Sequence, residues 1–327
     1  MRVVLLGGTR FVGLAILEQL LAYQHEVLII HRGEHEIEDI AGVRHLHSAR
    51  SDLPAHAREI AAFRPEAAVD ACAMTLADAR AALEALPRDI QLVLLSSMDV
   101  YRAFGSLWAR METDPLPLTE ESPLRERPLP DPGVQLPGWS FSWSDYDKIP
   151  VERAYLARDA IVLRLPVVFG EQDYLTREEA VLRRIRAGRK RIPIGAGNLL
   201  FTRGYVRDIA EATRLAISSP RPGVVYNVGE SRTASFGLWM RQIAAAAGVE
   251  VEFVRVPDEA LPPDLRLAGT FSQHLLVDSG YAREELGFRP IDPAESLRRS
   301  VEWHLANPPE GGQGDFAADD AALRQSG

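Results

Sequence analysis

Short runs that are apolar at nearly every position alternate along this chain with stretches of helical periodicity. RVVLL, EVLIIH, AAVDAC and IQLVLLSS are such runs, and GLAILEQLLAYQ, HAREIAAFR and LADARAALEAL lie between them. A strand with one wet face alternates apolar and polar residues, so a strand apolar throughout must be covered on both faces. Helices between successive strands supply that cover, because parallel strands need long crossovers. The expected fold class is therefore α/β, a doubly wound parallel sheet of the Rossmann type. VRHLH adds a strand after EVLIIH, and the patterns resume at PVERAYLAR and AIVLRLPVVFG. Between 111 and 138 the texture turns proline-rich and charged, which predicts a long surface excursion.

The net charge of −9 argues against a surface built for nucleic acid or anionic lipid. The single cysteine, Cys72, excludes an internal disulfide framework and fits a reducing cytoplasm. No segment approaches the roughly 20 apolar residues that span a bilayer, so a soluble cytoplasmic protein is expected.

The first strand runs into LLGGTRFVG. Gly7, Gly8 and Gly13 permit a tight turn and close approach to a pyrophosphate, while the amides of Thr9, Arg10, Phe11 and Val12 open the following helix, whose positive end attracts anions. Arg10 occupies the place of the middle fingerprint glycine, so the loop bulges or sends that guanidinium outward. At the end of the second strand His31 and Arg32 replace the acid that would bind ribose hydroxyls. Arg10 and Arg32 together would flank a 2′-phosphate, which favours NADP over NAD. The same edge of the sheet carries Ala71, Cys72, Ser96, Ser97, Asp99, Leu165 and Pro166, all at strand ends where ligands bind in such folds.

In SDYDKIPVE, Tyr146 stands two residues before Lys148, which in a regular helix turns it roughly 200° away. Pro150 suits a first helical turn, and Ser144, Asp145 and Asp147 are all suitable caps, so a helix beginning near Lys148 leaves Tyr146 on the approach segment. A tyrosine base needs its pKa moved from about 10 toward 7, about 4 kcal/mol in favour of phenolate. His45 and His47 would share a strand face and His31 and His35 follow the second strand. No acid or cysteine cluster completes a site around them, so no metal is expected.

GGTRFVG, SSMDVY, KIPVE, LRLPVVFG, TRGYVRDIAEA, YNVGE and VDSGYAREELGFRP occur in the order found in the extended short-chain dehydrogenases/reductases. The chain resembles this NAD(P)-dependent sugar epimerase/dehydratase family over nearly its whole length. The resemblance implies a Rossmann domain at 1–165, joined again by 200–228, and a smaller C-terminal substrate domain at 166–305; a polar, weakly ordered tail would follow at 306–327. It implies catalysis by Ser97 and Lys148, with Lys148 binding the nicotinamide ribose and lowering the pKa of a tyrosine, for which Tyr146 on the approach segment is the candidate. The family tyrosine stands four residues before the lysine, where this chain has Ser144. Asp99 falls where dehydratases carry an acid and is expected to face substrate, but Met98 departs from the acid beside it, which favours redox or epimerisation over dehydration. Tyr101 is structural in the family.

Arg203 and Arg266 align with groups that hold substrate phosphates, implying a nucleoside-diphosphate sugar. The helices LADARAALEAL and PVERAYLARD are where family members pair, implying a homodimer. RRIRAGRKR is expected to be a solvated helix face, with a diphosphate rim or a nucleic-acid contact as alternatives. GGTRFVG is also similar to the chloroplast stem-loop RNA-binding proteins. The rival expectation is a cofactor-binding protein without turnover, RNA-associated or redox-sensing.

Overall fold

The computed structural model describes residues 1–38, 40–133, 141–310 and 314–325, so the last part of the proline-rich excursion, 134–138, lies outside the described residues. The strands are β1 (Arg2–Leu6), β2 (Glu26–His31), β3 (Val43–His47), β4 (Ala67–Asp70), β5 (Gln91–Ser97), β6 (Ile161–Leu165), β7 (Val167–Phe169), β8 (Arg191–Ile194), β9 (Arg203–Tyr205), β10 (Val225–Asn227) and β11 (Glu252–Arg255). The helices are α1 (Phe11–Ala22), α2 (Ala57–Ala62), α3 (Leu76–Ala85), α4 (Arg102–Ser106), α5 (Lys148–Leu156), α6 (Glu179–Arg186), α7 (Val206–Ile217), α8 (Phe236–Ala246), α9 (Gly280–Glu285), α10 (Pro293–Ala306) and α11 (Ala317–Leu323).

Seven strands form one sheet in the order β10-β6-β5-β4-β1-β2-β3, and every pairing in it is parallel. The doubly wound expectation holds. From β1 the chain winds outward through β2 and β3, then returns to place β4 on the other side of β1. That reversal opens a crevice beyond the strand ends. Leu6 lies beside Ile30 and Asp70 in register, so the β1–α1 turn, the end of β2 and the end of β4 emerge side by side.

The all-apolar strands are buried on both faces. Val3, Leu5, Val27, Ile29, Val93 and Leu95 join one core, under α1 and α7, while Val4, Leu6, Leu28, Ile30, Leu92 and Leu94 join the other, under α3 and α5. Each such side chain contributes about 1.5–3 kcal/mol on burial, enough to dictate which residues face inward. Among the described residues no helix is long and apolar enough to cross a membrane.

Beside the sheet, β7 pairs with β9 and β8 with β11. The expectation of a weakly ordered tail does not hold for 317–323. These residues form α11, because Asp319 accepts two hydrogen bonds from the fully buried Arg184, at 2.6 and 2.7 Å, and Arg183 and Arg189 lie over the Phe316 ring. Nor is RRIRAGRKR a simple solvated face. Arg183 and Arg184 meet Asp264, Arg186 meets Glu179, Arg189 meets Asp320 and Arg191 meets Glu252. The run closes ion pairs within the smaller layer, Arg184 in its interior and Arg191 at its surface.

Glu178, at the start of α6, is wholly buried. Ser300 donates to its Oε1 at 2.5 Å, Oε2 has no hydrogen-bond partner, and His304, pushed toward neutrality by burial, lies 3.7 Å away. Burial pushes this carboxyl from its usual 4.5 up to about 7. Because the folded state holds the proton more tightly, stability from this group is full below the unfolded pKa and is lost as pH rises from 4.5 through about 7. Asp208, also pushed to about 7 by burial, acts in the same direction. In urea denaturation the protein is expected to lose stability between about pH 5 and 8. Glu178→Gln should flatten that slope and gain up to about 3 kcal/mol at the alkaline end.

Candidate active site

A cleft of about 1280 Å³ crosses the carboxyl ends of the sheet. Pockets for one small ligand occupy roughly 300–1,000 Å³, so this one has room for a dinucleotide and a second molecule. Gly7, Thr9, Arg10, Phe11, Val12, Gly13, Arg32, Ala71, Cys72, Ser96, Ser97, Asp99, Tyr146, Lys148, Leu165 and Pro166 all line it.

The glycine turn is shaped as a close-approach site. Gly7 has φ +87°, and a Cβ on Gly13 would lie 1.8 Å from the Gly7 carbonyl oxygen. No side chain caps α1, whose N-cap is the extended Arg10. The first-turn amides of this helix are therefore available to an anion. Arg10 Nη1 lies 3.1 Å from His35 Nε2, and the guanidinium stands 4.2 Å over the Tyr174 ring. Arg32 donates to Glu34 at 2.8 Å, and Glu34 itself lines the cleft. An acid thus stands near the end of β2 after all, three residues later than the fingerprint position.

Several of these hydroxyls and carboxylates hold the walls. Asp70 accepts from Arg50, from the Tyr155 hydroxyl and, at 3.1 Å, from the Cys72 amide, tying β4 to α5. Burial pushes the Cys72 thiol up to about 11, so it is not a nucleophile at neutral pH. Ser96 donates to Glu152 at 2.6 Å, and Tyr101 donates to Asn227 at 2.6 Å.

The chemistry gathers at Ser97, Asp99, Tyr146 and Lys148. α5 begins at Lys148, capped by Asp147, whose Oδ1 accepts from the Ile149 amide at 3.1 Å and from Arg125 at 2.7 Å. Tyr146 therefore lies just ahead of the helix, its ring stacked on Phe141 at 5.2 Å. Its hydroxyl donates to Asp99 Oδ2 at 2.5 Å, and Ser97 Oγ accepts from the Asp99 amide at 3.2 Å. Lys148 is buried and donates to the carbonyls of Ala73 and Leu95 at 2.6 and 3.3 Å.

The hydrogen-bond partner of Tyr146 is Asp99, the acid expected to face substrate. Burial and then the Asp99 carboxylate hold the Tyr146 phenol well above its usual value, burial raises Asp99, and burial lowers Lys148. Tyr146 is thus a protonated phenol that donates to Asp99. Asp99 Oδ1 is buried without a hydrogen-bond partner. Such an orphaned acceptor is costly unless something else bonds to it.

Two expected substrate groups lie elsewhere. Arg203 is buried, donates to the carbonyls of Phe201 and Ala234 at 2.8 Å each, and packs over Trp239; Arg266 is exposed on a short 3₁₀ turn. Neither lines the cleft. Arg50, Arg177 and the aromatic wall of Phe104, Trp108, Phe141, Trp143 and Tyr174 do; Phe104 lies on the short α4, Arg50 and Trp108 on 3₁₀ turns and the rest on loops, segments too short or irregular to carry a periodic signal. The expectation that no acid completes a histidine cluster also needs correction, since Glu36 folds back onto His31, His45 and His47.

Residues 149–229 match the model of the NAD dependent epimerase/dehydratase family. The chloroplast stem-loop binding protein of 41 kDa b from Arabidopsis thaliana is 24% identical over 342 residues, spanning 98% of this chain and 84% of that protein. Among solved structures, the dTDP-glucose 4,6-dehydratase of Bacillus anthracis in complex with NAD superposes with a TM-score of 0.71 at 17% identity, covering 94% of this chain and 97% of that one. The UDP-glucose 4-epimerase of Thermotoga maritima with UDP-glucose gives 0.70 at 17% identity, covering 94% and 100%. The resemblance to the epimerase/dehydratase family holds over residues 149–229, and the solved structures share the fold.

Gly13→Ala is expected to break the turn, costing at or beyond the upper end of the usual 1–3 kcal/mol of about one overpacked core site. Thermal melting checks this. A wild-type melting temperature in that variant would contradict the close packing of Gly13 on Gly7.

Proposed function

We propose that the protein is an NAD(P)-dependent oxidoreductase of the epimerase/dehydratase type, acting on a sugar or a nucleoside-diphosphate sugar. The observation that carries this reading is the Ser97–Asp99–Tyr146 group with Lys148 behind it, set across the cleft from an uncapped, glycine-lined helix start. The residues fit a dinucleotide. The first-turn amides of α1 would hold the pyrophosphate, and Ala71, Cys72, Leu165 and Pro166 would wall the path toward the nicotinamide end. Lys148 has one N–H beyond the two given to carbonyls, which would go to the ribose. When bound, the dinucleotide supplies hydride exchange with a sugar carbon.

The chain's own contribution is proton handling at the sugar hydroxyl. Ser97 holds that oxygen, and its proton passes to the Tyr146–Asp99 pair, where Asp99 Oδ1 offers the open acceptor. A positive nicotinamide would draw Tyr146 toward phenolate, against the burial that now raises it. Residues 166–305, apart from the segment that returns to the sheet, form the substrate side. The homodimer expectation places a second copy against α3 and α5, and the compartment expected is the cytoplasm.

The NADP preference rests on Arg10 and Arg32, and the Glu34 contact to Arg32 draws against it. Glu34→Gln is expected to shift the NADPH to NADH affinity ratio upward by up to about fivefold, the scale of one exposed ion pair, in fluorescence titration.

Nucleotide titration followed by a screen of nucleoside-diphosphate sugars tests the reading. Tyr146→Phe and Asp99→Asn should each lower kcat by about 10²–10⁴ while leaving nucleotide affinity intact. Since burial raises Asp99, the acid limb of kcat/KM should lie above the usual carboxylate value of about 3.9 and should vanish in Asp99→Asn. Full activity in either variant would contradict the assignment. The Arabidopsis relative's name supports a second reading, association with structured RNA. The net charge of −9 and the internal pairing of the basic run count against it. RNA retained on a filter at physiological salt, without nucleotide binding, would favour it.

A further inference from the structure

The parallel register of β2 and β3 sets His31 beside His47, and His45 lies one pleat back on the same face. The loop that follows β2 then turns at Gly33, φ +79°, and brings Glu36 back over the three rings. One ligand atom from each of His31, Glu36, His45 and His47 lies within 4.8 Å of all the others. His31 Nε2 is 2.9 Å from His45 Nδ1, His47 Nε2 is 2.9 Å from Glu36 Oε1, and His31 Nε2 is 4.0 Å from Glu36 Oε2. The ring centroids of His31 and His47 are 4.6 Å apart, and those of His31 and His45 are 5.2 Å apart. The other histidine of this loop, His35, faces Arg10 instead and is no part of the group.

We propose that His31, His45, His47 and Glu36 form a binding site for a divalent transition ion of the zinc class, at the outer edge of the sheet beside the cleft. Imidazole with one carboxylate is a donor set that suits zinc, cobalt and nickel and not the oxygen-seeking calcium or magnesium. Four donors at about 2.0–2.2 Å from a tetrahedral ion stand roughly 3.3–3.5 Å from one another. The separations here bracket that value, so the closest pairs open by a few tenths of an ångström and the distant ones close by about an ångström.

Proton bookkeeping supports the same arrangement. The Gly33 amide donates to His31 Nδ1 at 3.2 Å, so the neutral ring carries its proton on Nε2 and donates it to His45 Nδ1. His45 then holds its own proton on Nε2, which is buried without a hydrogen-bond partner. An ion replaces the proton between His31 and His45 and the one between His47 and Glu36. His31 gives up the Gly33 contact in the exchange, since its proton moves to Nδ1. A bound ion would pin the loop after β2, which carries Arg32, Glu34 and His35 to the cleft. The inference stands whether or not the cleft takes a dinucleotide.

The test is Co²⁺ titration of the full chain, free of any affinity tag and stripped by chelator, followed by visible absorption and by competition with Zn²⁺. One ion per chain is expected, with micromolar or tighter affinity and a tetrahedral cobalt spectrum. Glu36→Gln and His47→Asn alter side chains that are more than half exposed, 56% and 55%, so the fold should tolerate them. Each should weaken binding by at least about 100-fold, since loss of a mere supporting contact already costs about 10–100-fold. Absence of cobalt absorption, undiminished binding in either variant, or a preference for Mg²⁺ over Zn²⁺ would overturn the proposal.

Discussion

The buried ion pair between Glu152 and Arg164 is the contact on which the placement of the site depends. Glu152 lies on α5 and Arg164 on β6, and the guanidinium forks onto the carboxylate at 3.0 and 2.8 Å with both residues almost fully buried. The same carboxylate accepts a hydrogen bond from the Ser96 hydroxyl of β5, and the same guanidinium donates to the Tyr101 hydroxyl, which in turn donates to Asn227 of β10. One charged pair thus fixes α5 against three adjacent strands. Replacing such a pair with well-packed apolar residues is often harmless, but removing one partner leaves an uncompensated charge and costs about 3–5 kcal/mol. Its role here is positional. With α5 fixed, Lys148 at its first turn and Tyr146 just ahead of it are delivered to the end of β5, where Ser97 and Asp99 emerge.

The sheet was legible because wholly apolar strands leave few alternatives. RVVLL and IQLVLLSS are buried on both faces at the core positions their pattern implied, and the helix that starts at Lys148 follows from Asp147 and Pro150. What escaped were pairings between residues far apart in sequence. Nothing near Asp319 shows that Arg184, 135 residues away, would anchor a helix on it. Glu36 gives no local sign that it folds back onto strand histidines. Nor does anything near Asp99 show that a tyrosine 47 residues on would donate to it. Side-chain destinations of loops depend on the assembled fold, and sequence periodicity does not encode them.

Arg203 teaches the complementary lesson. It lies in a family motif, but its guanidinium is turned to two backbone carbonyls, a tryptophan face and, at 3.9 Å, Glu230, so matching a family position did not carry the matching contact. At Tyr146 the departure runs the other way: the family position holds Ser144, and the chain supplies a hydroxyl to the cleft from a different place on the approach to the helix. The electrostatics of this substitute differ as well. A phenol bonded to a buried carboxyl is a proton-sharing pair, whose direction of transfer depends on the charge brought beside it.

The most direct measurement is a crystal structure of the chain soaked with NAD⁺. Pyrophosphate density is expected against the amides of the Gly7–Gly13 turn, with Lys148 Nζ turned to the ribose and the Tyr146 hydroxyl still bonded to Asp99 beside the nicotinamide. A dinucleotide bound elsewhere, or a nicotinamide end far from the Tyr146–Asp99 pair, would contradict that placement.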